Sequence, residues 1–148
     1  MKIFYYFVFV LVLSACSVTT EESTTSSGTS DGSASSPVEL TVGTAKSGGI
    51  AYNSYSYYKF TTSSTGAGSY KLAIASMTVT DGWSAYAVNT YLYSDSSYSY
   101  SYRLDTEYCA ANCTVNFDYK NLDASKTYYL RLYGYGAVTY SLTVSQGG

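Results

Sequence analysis

From Tyr128 to Val144 the side chains alternate almost without a break. Tyr128, Leu130 and Leu132 take one parity and Tyr129, Arg131 and Tyr133 the other; beyond Gly134-Tyr135-Gly136, Val138, Tyr140, Leu142 and Val144 alternate with Thr139, Ser141 and Thr143. A period of two places successive side chains on opposite faces of a pleated strand, so one face of each run belongs to a core. The pattern recurs at Tyr70, Leu72 and Ile74, and again at Cys113, Val115 and Phe117. No stretch carries a helical stripe of useful length. Clusters of Gly, Asn, Asp and Ser separate the runs, which predicts an all-β chain of antiparallel strands packed as a β-sandwich. About eight strands are expected, over residues 38–42, 55–61, 69–76, 88–93, 98–103, 113–117, 127–133 and 137–144. The last two are expected to pair as a hairpin across their glycine-bearing connection.

Composition narrows the function classes. The 148-residue chain holds 20 tyrosines, has no histidine, is 12% charged and carries a formal net charge of −2. Nucleic acid calls for a basic footprint of Lys and Arg, which is absent. Without histidine neither a Ser-His-Asp nor a Cys-His arrangement can be assembled. Asp81, Asp95, Asp105, Glu107, Asp118 and Asp123 offer carboxylates for glycosidase chemistry, but all fall in predicted turns, where acidic residues serve as turn formers. No glycine-rich phosphate cradle precedes a helix. The expectation is a non-enzymatic chain with no catalytic residues, metal or cofactor.

The N-terminus sets the compartment. Lys2 precedes an apolar run from Ile3 to Leu13, and Leu13-Ser14-Ala15-Cys16 resembles a lipobox. The apolar run is shorter than the roughly 20 residues that span a bilayer. Residues 1–15 therefore resemble a bacterial lipoprotein signal peptide, with Cys16 lipidated and the chain anchored in the cell envelope; an ordinary secretory signal is the alternative. By resemblance to lipoproteins of two-membrane bacteria, Ser17 in place of Asp implies passage to the outer membrane. Residues 16–36 are dominated by Ser and Thr, with Glu21, Glu22 and Asp31, and are expected to form a flexible solvated tether. Pro37 marks the start of a single domain, 37–148.

With Cys16 committed to lipid, Cys109 and Cys113 remain as a pair, and an oxidising compartment favours a disulfide. Zinc is the alternative, but two thiols without histidine leave a tetrahedral site short of ligands. The bond closes a short loop, either as the staple of a hairpin end or as a rigid loop presenting Asp105, Glu107 or Tyr108.

Several segments carry a resemblance. Tyr57-Tyr58-Lys59-Phe60-Thr61, Gly68-Ser69-Tyr70-Lys71-Leu72, Tyr91-Leu92-Tyr93, the run from Thr127 to Gly134 and Tyr140-Ser141-Leu142-Thr143-Val144 follow in the order seen in bacterial pre-peptidase C-terminal domains. These resemble the collagen-binding domains of clostridial collagenases. The resemblance implies a non-catalytic, antiparallel jelly-roll-like β-sandwich of an exported protein. Many members carry acidic residues before the Leu-Tyr strand; here that stretch is Ala87-Val88-Asn89-Thr90, without carboxylates.

Tyrosines are the functional lead. In Ser97-Tyr98-Ser99-Tyr100-Ser101-Tyr102 a strand would align Tyr98, Tyr100 and Tyr102 on one side, and Tyr55 and Tyr57 share a face of another strand. Turned outward, such rings form an amphipathic surface for a glycan or an extended protein chain. Turned inward, they are core. Trp83 is either an exposed anchor or part of the core rim. Two functions follow: a surface module that binds extracellular or envelope polymer, or a structural envelope lipoprotein that associates with a partner chain through a sheet edge or these tyrosines.

Overall fold

The computed structural model describes residues 29–65, 67–82, 87–117 and 121–147. Residues 1–15 of the expected signal peptide, Cys16, residues 17–28 of the expected tether and Trp83 lie outside the described residues, as does Asp118. Within them the chain is a two-sheet β-sandwich of nine strands, with one short 3-10 turn at Tyr100–Tyr102. The strands are β1 Val38–Leu40, β2 Lys46–Ile50, β3 Ser54–Thr61, β4 Tyr70–Gly82, β5 Val88–Tyr93, β6 Arg103–Cys109, β7 Cys113–Asn116, β8 Thr127–Gly134 and β9 Gly136–Gln146. One sheet runs in the order β1-β3-β8-β5-β6 and the other β2-β9-β4-β7. All pairings are antiparallel except β1 with β3, which are parallel.

The predicted inward parities hold. Tyr70, Leu72, Ile74, Val115, Phe117, Tyr128, Leu130, Leu132, Val138, Tyr140, Leu142 and Val144 are buried between the sheets. In β4 a bulge at Ser76, whose φ is +51°, switches the inward parity from even to odd residues, so that Met77 and Val79 pack against the core beyond it. The Met77 N–H turns out of the ladder and donates to Asn112 Oδ1 at 2.7 Å. Bulges bend a strand and raise its twist, and here the bend keeps a 13-residue strand on one curved core.

Three sequence expectations are corrected. The 127–133 and 137–144 segments do not form a hairpin: β8 pairs with β3 and β5, β9 with β2 and β4, and Tyr135 alone carries the chain from one sheet to the other. The corner is too tight for side chains. A Cβ on Gly134 would stand 2.8 Å from the Gly136 carbonyl oxygen and 2.9 Å from Ile50 Cγ2. Segment 98–103 is not a strand either. Ser97 N–H donates to Asp95 Oδ1, Tyr102 N–H donates to the Ser99 carbonyl, and β6 begins at Arg103, because short polar side chains offer the backbone local hydrogen bonds that compete with a ladder. Third, Asp81, Asp105 and Glu107 lie in strands rather than turns, while Asp95 does form a turn.

Residues 29–36, expected to belong to the tether, are hydrogen-bonded into the sandwich. Asp31 Oδ2 accepts from Gly49 N–H at 3.0 Å and from Tyr58 Oη at 2.7 Å, while its backbone N–H donates to Ser56 Oγ and its carbonyl accepts from Tyr57 N–H. Gly49 lies in one sheet and Tyr58 in the other, so Asp31 ties the two together. The close approach requires glycine: a Cβ on Gly48 would collide with Asp31 Oδ2 and stand 2.5 Å from Tyr58 Oη. Cys109 and Cys113 make a second tie. They are disulfide-bonded with Cα atoms 5.9 Å apart and join β6 of one sheet to β7 of the other, so the bond closes an inter-sheet crossing and not a hairpin end.

Two outcomes test these ties. Replacing Asp31 with alanine strands the Gly49 N–H donor and removes the acceptor of the Tyr58 hydroxyl, which can then turn to Tyr140, and should lower unfolding stability by about 2 kcal/mol, the usual cost of an unsatisfied buried donor. A urea titration with an unchanged midpoint would show that residues 29–36 are not part of the cooperative unit. Replacing Cys109 and Cys113 together with serine should cost about 2 kcal/mol by loop-closure entropy, read in the same titration, with reduced wild-type protein matching the double variant.

Candidate functional site: a tyrosine-paved sheet face

The outward face of the five-stranded sheet is built from rungs that cross its central strands. Register places Tyr55, Tyr133, Asn89 and Tyr108 in one rung and Tyr57, Arg131, Tyr91 and Thr106 in the next. The third runs Glu39, Lys59, Tyr129, Tyr93 and Arg103. Alternation explains the paving: the inward parity of β3, β5 and β8 is filled by Tyr58, Phe60, Leu92, Leu130 and Leu132, which leaves the odd-numbered tyrosines outside. Neighbouring strands lie about 4.8 Å apart, close enough for rings in a rung to touch. Ring centroids of Tyr55 and Tyr133 are 4.9 Å apart, and those of Tyr133 and Tyr135 are 4.8 Å apart in an edge-on contact.

Arg131 occupies the middle of the face. Its guanidinium carbon lies 4.9 Å from the Tyr55 ring centre, 5.1 Å from Tyr91 and 5.2 Å from Tyr93. Arg103 at the edge lies over Tyr100 at 4.2 Å and near Tyr91 at 5.8 Å. The phenol rim is polar. Asn89 Nδ2 donates to the Tyr91 and Tyr135 hydroxyls, and the Tyr133 hydroxyl donates to Asn53 Oδ1.

The expected ladder of Tyr98, Tyr100 and Tyr102 is not formed. Tyr98 has a φ of +52°, rare for a bulky residue, and folds back over the face to meet Tyr57, Tyr93 and Tyr129 edge-on at 5.0, 5.4 and 5.9 Å. Edge-to-face aromatic pairs contribute about 0.5–1.5 kcal/mol each beyond burial, enough to hold the left-handed backbone. The Tyr98 ring is 7% exposed, whereas Tyr100 is 78% exposed and Tyr102 50%. Tyr98 therefore closes the third rung, and the first stays open, lengthened by exposed Tyr52 and Tyr135. Tyr55 and Tyr57 share the outer face as expected, but Tyr91, Tyr93, Tyr129, Tyr133 and Arg131 complete it. Their outward parity was visible in the sequence; that their strands are neighbours was not. Asp105, Glu107 and Tyr108 stand on β6, not on the disulfide loop.

Burial sets the proton affinities. Loss of solvent, reinforced by Tyr140, pushes the Tyr58 phenol well above the ordinary phenol range, and burial does the same for Tyr140. Tyr98 is pushed up to about 12, chiefly by burial and then by Tyr129 and Tyr57, with Arg131 opposing.

The molecule is thus a β-sandwich with an aromatic, cation-bearing outer face. No protein-family model matches the sequence, and no curated protein does. Among solved structures it is similar to the pre-peptidase C-terminal domain of a collagenase from Bacillus anthracis, at 17% identity over 73% of this chain and 93% of that chain, with a TM-score of 0.48.

The buried phenols predict alkaline sensitivity. Below about pH 10, the ordinary tyrosine pKa, both folded and unfolded chains keep these protons and stability is complete. Above it the unfolded chain ionises first, the native state binds more protons, and stability falls as pH rises. Urea midpoints measured from pH 8 to 11.5 should decline above pH 10, and Tyr58→Phe should reduce that slope; a slope unaltered by the substitution counts against the assignment.

Proposed function

We propose that this chain is a lipid-anchored protein of the bacterial envelope whose sandwich is a non-catalytic module binding an extracellular or envelope polymer through the tyrosine face. The observation that carries this is the open first rung, Tyr55-Tyr133-Asn89-Tyr108, with Tyr52 and Tyr135 exposed beside it. Tyrosine offers a large contact area with few torsions to freeze, and its hydroxyl keeps the face wettable between encounters. The rings are held by mutual contacts and by the sheet, so little order remains to be gained on binding. The lipobox-like segment ending at Cys16 supports the anchor, which holds the module at the membrane while residues 17–28 give it reach; passage to an outer membrane follows from Ser17 by the same resemblance.

A saturation-binding panel of the full-length chain against peptidoglycan, polysaccharides and collagen-like peptides tests this. Tyr55→Ala and Tyr135→Ala each remove an exposed ring, and each should weaken the hit at least tenfold while the near-ultraviolet circular dichroism away from the lost ring is kept. Binding indifferent to both substitutions would remove the face from consideration. Silence across the panel would transfer the role to association with another envelope protein, to be sought by crosslinking in the native membrane.

A further inference from the structure

The same face holds cations that lack counter-charges. Among the described residues Arg131 forms no ion pair and no hydrogen bond, and its Nε is buried without an acceptor. Three tyrosine rings stabilise the charge from the side, at about 0.5–2 kcal/mol for each favourable contact, but they leave the in-plane N–H donors of the guanidinium unused. Buried charged donors are ordinarily paired. Arg103 repeats the situation at the rim, stacked on Tyr100 with no ion pair among the described residues. Lys59 is the contrast: at the opposite end of the third rung it is neutralised by Glu39 at 3.1 Å. Two strand spacings and two residues of register separate Arg131 from Arg103, about 12 Å between Cα atoms. Two unneutralised guanidinium groups at fixed spacing, among sugar-sized aromatic faces, describe the complement of a chain bearing regular anionic groups.

Resting on the polymer-binding reading, we propose that the tyrosine face binds a carboxylated polysaccharide, Arg131 taking one sugar carboxylate and Arg103 another further along the chain. Guanidinium matches a carboxylate with two parallel N–H···O bonds, which on Arg131 come from the two Nη groups because Nε is enclosed by protein, while Tyr55, Tyr91 and Tyr133 line the path of the sugars. A sugar chain is favoured over an acidic peptide because peptide recognition depends on pockets for alternate side chains, and the face is paved with packed rings. Lipid is disfavoured because every exposed large hydrophobic among the described residues is tyrosine, with no exposed aliphatic, Phe or Trp side chain to insert.

The test measures binding of the full-length protein to polygalacturonate and to its methyl ester, at 20 and 300 mM NaCl. The proposal expects at least tenfold preference for the free acid, weakening with salt, with Arg131→Gln abolishing the preference and Arg103→Gln reducing it. Equal binding of acid and ester would overturn the carboxylate assignment and leave the polymer-binding reading standing. Binding of neither, with none to the wider panel, would remove both. Equal or tighter binding to polyglutamate, oligo(dT) or phosphatidylglycerol vesicles would overturn the polysaccharide class. Should Arg131→Gln not fold, Arg131→Lys keeps the charge over the rings and loses the two-pronged geometry, so it should bind polygalacturonate at least threefold more weakly. Competition on the wild-type protein needs no variant: free galacturonate should displace the polymer and galactose should not, and equal displacement would overturn the proposal.

Discussion

A phenol taken out of water must find a partner at the boundary of the core, and much of this sandwich is arranged around that demand. Tyr58 and Tyr140 meet hydroxyl to hydroxyl at 3.0 Å between the sheets. With the Tyr58 proton given to Asp31, the single Tyr140 proton is left to the Tyr58 oxygen and to the Gly49 carbonyl, 3.2 Å away. Tyr70 accepts from Ser63 N–H at 2.9 Å, and Tyr128 from Asp123 N–H at 2.8 Å. Tyr58, Tyr70 and Tyr128 thus fill the core with their bodies and fasten connecting segments, at Asp31, Ser63 and Asp123, with their tips. An unsatisfied buried hydroxyl costs several times what a satisfied one contributes, so the connections are fixed by the core and not merely draped over it.

On the outer face of the same sheet the residue works differently. There the rings contact one another and the two arginines, and the Tyr91, Tyr133 and Tyr135 hydroxyls meet the amide side chains of Asn89 and Asn53. Cross-strand packing is a sufficient structural reason for a tyrosine in a rung. It is not a reason for an arginine without an acceptor. That difference separates the stability of the face from the function proposed for it: the rings account for the order of the sheet, and the two arginines without an ion pair among the described residues are the groups the proposal assigns to a ligand.

The inward face was legible because alternation reports burial directly, and Leu72, Ile74, Leu130, Leu142 and Val144 lie where their parity put them. Alternation is silent about partners. Even residues point inward on both sides of Tyr135, and a hairpin and a corner between sheets produce that same pattern, so the sheet change at Gly134-Tyr135-Gly136 was hidden. Strand β2, Lys-Ser-Gly-Gly-Ile, shows no alternation because Gly48 makes room for Asp31 and Tyr58, and Gly49 for the Thr29 backbone, instead of contributing side chains. The Tyr-Ser repeat at 97–102 misled for the opposite reason: it has the period of a strand, but beyond the end of β5 its local hydrogen bonds win. Asp31 looked like one more polar residue of the tether, since nothing local marks a carboxylate whose partners are 18 and 27 residues away.

The Asp31 clamp also decides how the domain would bear load. A pull on the N-terminal segment, opposed at the five-stranded sheet, would meet β1 only after residues 30 and 31. It arrives at Ser30, whose hydroxyl accepts from Ala51 N–H, and then at residue 31, where Gly49 belongs to one sheet and Ser56, Tyr57 and Tyr58 to the other. Tension is therefore divided between both layers before it reaches the three-residue edge strand, which is spared from being peeled away one bond at a time.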